Sequence, residues 1–361
     1  MKKLICLTVA FLSAFQVCSS IDISANSAIL YEPHTATVLY AKNENQKRGI
    51  ASTTKILTAV VVLENAAMDD IVVVPKESVG TEGTSMYLKE NEQLSVSDLL
   101  HGLLLQSGND AAVALAHFVG NGSVAKFVDM MNATAQKIGM KNSFFKNPNG
   151  LPDDNHYSTA YDMALLAAYA LRIPEFASIV STKEKAVAGR HLSNHNKLLR
   201  IYEGATGVKT GYTKSSGRCL VSSAKRNGTE LIAVTLSAPN DWDDHINLLD
   251  YGFNNFKLIQ LAENRNSCAV IPVAGGMSEF VNIVYASDVS VLQKASDQIT
   301  HRIFLPRFLY APIIRGDIVG EVQYFLNGEV IETVSLVAAE SVDIYYKESF
   351  FNKLFNSFGR K

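Results

Sequence analysis

The sequence predicts an α/β unit of α+β type, an antiparallel sheet with helices, followed by a smaller all-β domain and a C-terminal amphipathic helix. Three observations carry this. Strand-like segments stand at both ends of a stretch that is otherwise helical in its periodicity. Helical periodicity fades beyond about Asn264, and β signals take over. The 361 residues, at about 150 per domain, make room for two domains or three.

The elements follow in order. Ala28–Tyr31 and Thr37–Tyr40 flank Glu32-Pro33-His34-Thr35 and read as a β-hairpin. A helix is expected to begin near Ser52 and to run through Ile56, Leu57, Val60, Val61 and Leu63. Ser97–His117 carries Leu99, Leu100, Leu103 and Leu104 and then an alanine-rich face, which predicts one buried helix. Val124–Ile138 predicts another, ended by Gly139. Ser158 or Thr159 can cap a helix through Met163, Leu166 and Tyr169. From Cys219 two strands surround Asn227-Gly228, and a second hairpin with the same turn chemistry surrounds Asn327-Gly328. The expected organisation is therefore an α/β unit over 21–260 and a β domain, a β-sandwich, over 261–345.

The two ends bear on location. Met1-Lys2-Lys3, an apolar run from Leu4 to Val17 and then Cys18-Ser19-Ser20 form the pattern of a secretory leader over residues 1–20. At roughly 100° per residue, Phe350, Phe351, Leu354, Phe355 and Phe358 share an arc of about 140°, with Lys353 and Arg360 opposite. Residues 346–361 are thus expected to lie in a membrane interface. Lys+Arg is 33 and Asp+Glu is 35, a net charge of −2, which leaves no field for polyanions, so nucleic acid is not an expected partner. With Cys6 and Cys18 in the leader, Cys219 and Cys268 remain; Cys219 reads as a small buried hydrophobe. No Cys/His spacing suggests a metal, and no cofactor is expected.

Three motifs carry chemistry. Ser52-Thr53-Thr54-Lys55 places a hydroxyl and an amine one helical turn apart. That pattern alone is weak, because Ser123/Lys126, Ser143/Lys146 and Ser222/Lys225 repeat it. Ser107-Gly108-Asn109 follows a long apolar run, and Lys209-Thr210-Gly211 precedes a Ser/Gly loop. The order S-x-x-K, S-x-N, K-T-G resembles the serine-nucleophile constellation of penicillin-binding proteins and β-lactamases. Phe127–Asn132, Ile138–Asn142, Asn149-Gly150-Leu151-Pro152 and His156–Ala164 extend the likeness. Over roughly residues 24–345 the chain resembles low-molecular-mass D-alanyl-D-alanine carboxypeptidases of the penicillin-binding protein 5/6 type, serine peptidase family S11.

The resemblance implies a penicillin-binding/β-lactamase-like serine transpeptidase domain and a role for each matching residue. Ser52 would be the nucleophile and Lys55 its general base. Ser107 would relay a proton to the departing amine. Asn109 would hold Lys55 and a substrate amide, while Lys209 and Thr210 would bind the substrate's terminal carboxylate. The backbone N–H groups of Ser52 and Tyr212, beside Gly211, would form the oxyanion hole. Tyr212 and His195 depart from several relatives, which carry His and Arg there. The implied partners are peptidoglycan pentapeptide stems, β-lactam antibiotics and the periplasmic face of the inner membrane. Three competing functions are a β-lactamase, a catalytically silent peptidoglycan-binding protein, and an endopeptidase or transpeptidase. Glu175, Glu184 and Glu203 lack the flanks expected of a deacylating Glu, and the intact Ser52, Lys55, Ser107, Asn109 and Lys209 argue against silence.

Overall fold

The computed structural model describes residues 21–346. The leader over 1–20 and the amphipathic segment from residue 347 onward lie outside the described residues. The first unit opens with β1 (Ser27–Glu32) and β2 (Thr37–Lys42), the expected antiparallel hairpin. A 3-10 turn over Ala51–Thr54 leads into α1 (Lys55–Asn65). There follow β3 (Ile71–Val73), β4 (Gln93–Ser95), α2 (Val96–Leu104), α3 (Asn109–Val119), α4 (Val124–Ile138), α5 (Ala160–Leu171) and α6 (Pro174–Ser181). A small hairpin of β5 (Glu184–Val187) and β6 (Arg190–Ser193) and the short α7 (Leu198–Ile201) lead to β7 (Ala205–Thr213), β8 (Gly217–Arg226), β9 (Thr229–Leu236) and α8 (Asp241–Asn255).

The sheet order is β2-β1-β9-β8-β7, antiparallel throughout, so the N-terminal hairpin and the three later strands close one sheet. Alternation along β1 shows how it is covered. Ile29 and Tyr31 face the helical core with α1, whereas Ala28 and Leu30 face Leu248 and Leu249 of α8. Ile56–Val62 of α1 are all fully buried, which makes this helix the centre of the domain. Thr159 caps α5 by accepting from the Asp162 N–H at 3.0 Å, and Gly139 ends α4 at φ +94°. The two Asn-Gly turns carry positive φ at both residues, as two-residue hairpin turns require.

One element differs from expectation. Ser97–His117 is two helices, α2 and α3, broken at Leu105–Gly108. Ser107 adopts φ +63°, and the Gly108 N–H returns to the Gly102 carbonyl at 3.0 Å. The apolar periodicity runs on across the break because both helices bury the same core, so hydrophobicity alone could not reveal it.

The second unit contains β10 (Phe256–Ala262), β11 (Ser267–Ala274), β12 (Phe280–Tyr285), β13 (Val289–Lys294), β14 (Ile299–Phe304), β15 (Leu309–Tyr310), β16 (Ile318–Leu326) and β17 (Glu329–Ala338). A six-stranded sheet, β14-β16-β17-β12-β11-β15, encloses a core of Ile271, Val281, Ile283, Val322, Val334 and Leu336. The β10-β13 pair contributes Ala262 and Val289 to the same core. Cys219 and Cys268 are both free thiols, one on β8 and the other on β11; Cys219 is fully buried, and burial pushes its thiol up to about 11.

Candidate active site

The 3-10 turn is shaped from both sides by glycine. Gly150, at φ +83°, lies so close that a Cβ on it would fall 2.0 Å from the Ala51 carbonyl oxygen. A Cβ on Gly211 would come within 3.0 Å of the Ser52 nitrogen. β7 is an edge strand of the sheet, and its outer edge therefore runs directly beside the turn that presents Ser52.

Lys55 is fully buried, and its Nζ has three partners. These are the Asn109 Oδ1 at 2.6 Å, the Asn149 carbonyl at 2.6 Å and the Ser52 Oγ at 2.9 Å. Burial, then the charge of Lys209, hold the Lys55 amine well below the usual lysine range; Asp110 opposes the shift. Its place at the positive end of α1 acts in the same direction. A neutral amine has two N–H bonds and one lone pair. The two carbonyl oxygens can only accept, so they take the two N–H bonds. The lone pair is left for the one partner that can donate, the Ser52 hydroxyl. The neutral form thus fits all three contacts, as does the ammonium with its third N–H on Ser52 Oγ; it is burial that favours the neutral form.

Asn109 is held in turn. Its N–H donates to the Thr84 carbonyl at 2.7 Å, and its Nδ2 donates to the Glu82 carbonyl. The neighbouring Asp110, nearly fully buried, accepts from the Ser85 Oγ and from the N–H groups of Met86, Leu88 and Ala111 at 2.6–3.0 Å. Arg190 closes the other side with a donation to the Met86 carbonyl and a two-pronged pair with Glu92 at 2.7 and 2.8 Å.

A cavity of about 520 Å³ opens over this arrangement. Ser52, Ser107, His195, Thr210, Gly211 and Tyr212 all line it. Lys209, on β7, lies beneath it and is buried, with its Nζ on the Thr210 carbonyl at 3.0 Å; burial lowers its pKa to about 7. His195 is lowered too, by burial and by Lys209. All nine residues singled out in the sequence therefore converge on one region. Reasoning from motifs missed Asn149, Asp110 and the mouth of the cavity, where Arg218 pairs with Asp241 at 2.8 Å and faces Trp242. Asn149 acts through a backbone oxygen, which no residue type announces. The acidic residue directly after Asn109 was a visible signal for Asp110.

The fold and the cavity together define a penicillin-binding-type serine hydrolase: a sheet with an edge strand beside a buried Ser–Lys pair, followed by an all-β domain. Comparison with known proteins narrows the class. A family profile described as D-alanyl-D-alanine carboxypeptidase, the S11 peptidases, matches residues 14–240, and one described as penicillin-binding protein 5, C-terminal domain, matches residues 256–343. The D-alanyl-D-alanine carboxypeptidase DacF of Bacillus subtilis is 33% identical over 334 residues, 88% of this chain and 86% of that protein. The crystal structure of penicillin-binding protein 5 from Haemophilus influenzae superposes with a TM-score of 0.73 at 32% identity, covering 89% of this chain and 98% of that one. The Streptomyces K15 DD-transpeptidase superposes at 0.62 and 33% identity, over 64% of this chain and 98% of its own. The chain belongs to the S11 family of D-alanyl-D-alanine carboxypeptidases.

Proposed function

We propose that this chain removes the terminal D-Ala from peptidoglycan pentapeptide stems through an acyl-enzyme on Ser52. The observation that carries the reading is the buried Lys55 amine, lowered by burial and by Lys209 and held by Asn109 and Asn149 at 2.9 Å from the Ser52 Oγ. In the reaction the Ser52 proton passes to Lys55 Nζ while Oγ attacks the carbonyl carbon of the penultimate D-Ala. The backbone N–H groups of Ser52 and Tyr212 hold the oxyanion. Collapse breaks the C–N bond, and Ser107 conducts the proton from Lys55 to the leaving amine. A water, deprotonated by Lys55, then cleaves the ester. Lys209 and Thr210 hold the terminal carboxylate, with His195 on the facing wall. That anion favours the charged form of Lys209, whose pKa burial lowers to about 7. A β-lactam acylates the same serine, but its leaving nitrogen stays tethered and the adduct persists.

Among the described residues no glutamate lines the cavity, as the deacylating glutamate of a β-lactamase would. Glu175, Glu184 and Glu203 are exposed, and none lines the cavity. The leader pattern and the apolar stripe of the C-terminal sequence support a location outside the cytoplasm, at the periplasmic face of the membrane and peripheral to it, with the β domain holding the catalytic unit off the surface.

The test is intact-protein mass spectrometry with excess benzylpenicillin, followed by D-Ala release from a pentapeptide. A long-lived adduct on the wild type, absent from Ser52→Ala, with D-Ala released, is the expected result. A fleeting adduct with bulk penicillin consumption indicates a β-lactamase. No adduct on either protein leaves a binding module.

A further inference from the structure

The far end of the β domain carries exposed apolar side chains whose position follows from the strand pairing. β11 ends at Ala274, and β12 begins at Phe280 after a turn. β15 runs parallel to β11, which puts Tyr310 beside Ala274. β16 begins and β17 ends at this same end, where Ile318 faces Val337. The last described segment returns here as well: Ile313 pairs with Val342, Gly276 with Ile344, and the Tyr345 N–H donates to the Gly275 carbonyl at 2.8 Å. Met277, Phe280, Tyr310, Ile314, Tyr345 and Tyr346 are each more than half exposed on this rim.

The opposite end meets the catalytic unit. The Leu258 N–H donates to the Thr229 Oγ1 at 3.0 Å, and a cleft between the β1–β2 turn and the Asn327 turn is lined from both units. β17, ten residues at about 3.3 Å each, separates the two ends by roughly 33 Å.

We propose that this rim is a lipid-contacting surface that seats the β domain in the headgroup region of a bilayer. It extends the membrane reading above, but through residues separate from the C-terminal segment. Three observations name the occupant. The side chains are of the interfacial kind, with three tyrosines that each offer an apolar ring and a polar tip. They project from turns and termini at one end, not from a flat face suited to a second protein. The described chain ends on the rim at Tyr346, and the sequence that follows carries the apolar stripe expected of a membrane-interface segment. The charges of the rim, Arg307 and Arg315 against Glu279, Asp317, Glu340 and Asp343, sum to −2. Its attraction to lipid is therefore apolar and is not weakened by salt, which screens the repulsion from an anionic surface, whereas residues 347–361 carry Lys347, Lys353, Arg360 and Lys361 against Glu348.

The test is flotation of the full chain with vesicles of phosphatidylethanolamine and phosphatidylglycerol, at low and high salt. Two variants are compared with wild type: Met277→Ser/Tyr310→Ser/Tyr345→Ser on the rim and Phe351→Ser/Phe355→Ser in the C-terminal segment. The rim variant is expected to lose about tenfold in partition at both salt concentrations, with penicillin acylation unchanged as the check on folding. In a separate variant, Tyr310→Trp fluorescence is expected to be quenched by brominated acyl chains beyond the background of Trp242. Wild-type partition by the rim variant together with an unquenched Tyr310→Trp overturns the proposal. If Phe351→Ser/Phe355→Ser then still detaches, the C-terminal reading stands alone; if no form binds vesicles, both fall. Self-association without lipid that is lost in the rim variant would reassign the surface to a second copy, which also overturns it.

Discussion

At the scale of single residues, the site turns on which amine is neutral. Lys209 lowers the Lys55 pKa and Asp110 raises it, so substituting each should move the acylation profile in opposite directions. In the proposed reaction acylation needs neutral Lys55, so its rate is expected to rise with pH through the Lys55 pKa. Lys209→Gln removes a repelling charge, so Lys55 holds its proton more tightly and the rising limb moves to higher pH. Asp110→Asn removes an attracting charge and moves the limb to lower pH. Both variants should also lose activity. Lys209→Gln should remove the cation that the proposed reaction sets against the substrate carboxylate, with an expected loss of about tenfold or more in kcat/KM for D-Ala release. Asp110→Asn turns an NH2 toward the donors now served by Oδ2, Ser85 and Leu88, and loosens the loop that fixes Asn109. Penicillin acylation rates measured from acid to alkaline pH check both signs; limbs that move the same way would show that the charges do not act on Lys55.

At the scale of elements, Gly150 shows how tightly two loops must approach before Ser52 and Lys55 can meet. In Gly150→Ala a methyl group would fall onto the Ala51 carbonyl, at a φ that also disfavours a side chain. The loop must retreat, taking with it the Asn149 carbonyl that holds Lys55. Acylation by benzylpenicillin should fall by about a hundredfold, with a stability loss of about 1–3 kcal/mol; stopped-flow acylation and thermal melts measure the two separately. An acylation rate like wild type would mean that Asn149 does not position the amine. Gly150 was visible in the sequence inside Asn149-Gly150-Leu151-Pro152, but its purpose was not. Hairpins, helix caps and the three motifs were legible because turn chemistry and residue type are local. Two things were not: the break at Ser107, and β7 as the strand that carries Lys209-Thr210-Gly211. Each depends on contacts between residues far apart in the chain, which periodicity cannot report.

At the scale of the whole molecule, two buried histidines tie the stability of the catalytic unit to pH. His156 Nδ1 accepts from the Lys146 N–H at 3.3 Å, so its Nε2 carries the proton and donates to Thr54 Oγ1 at 2.8 Å. Thr54 passes the chain on to the Ala51 carbonyl, next to Ser52. Protonating His156 would set two donors against each other at Nδ1. His245, on the sheet-facing side of α8, bridges Ser222 of β8 and Thr235 of β9 and is fully buried. Burial lowers His156 to about 4 and His245 to about 3, from 6.5 in the unfolded chain. Above pH 6.5 both states are neutral and nothing is lost. Below it the unfolded chain takes up protons that the folded chain refuses, so stability falls with falling pH until the folded values are reached. Between pH 7 and pH 5 each histidine costs about 2 kcal/mol, about 4 together, a drop on the order of 10 °C in the catalytic unit's melting temperature. The β domain lacks such a pair among its described residues, and its melting should respond less. Calorimetry from pH 7 to 5 on wild type and His245→Asn tests this, since the variant should lose about half of the slope. A catalytic unit that melts at the same temperature across that range would show that neither histidine is held neutral by the fold.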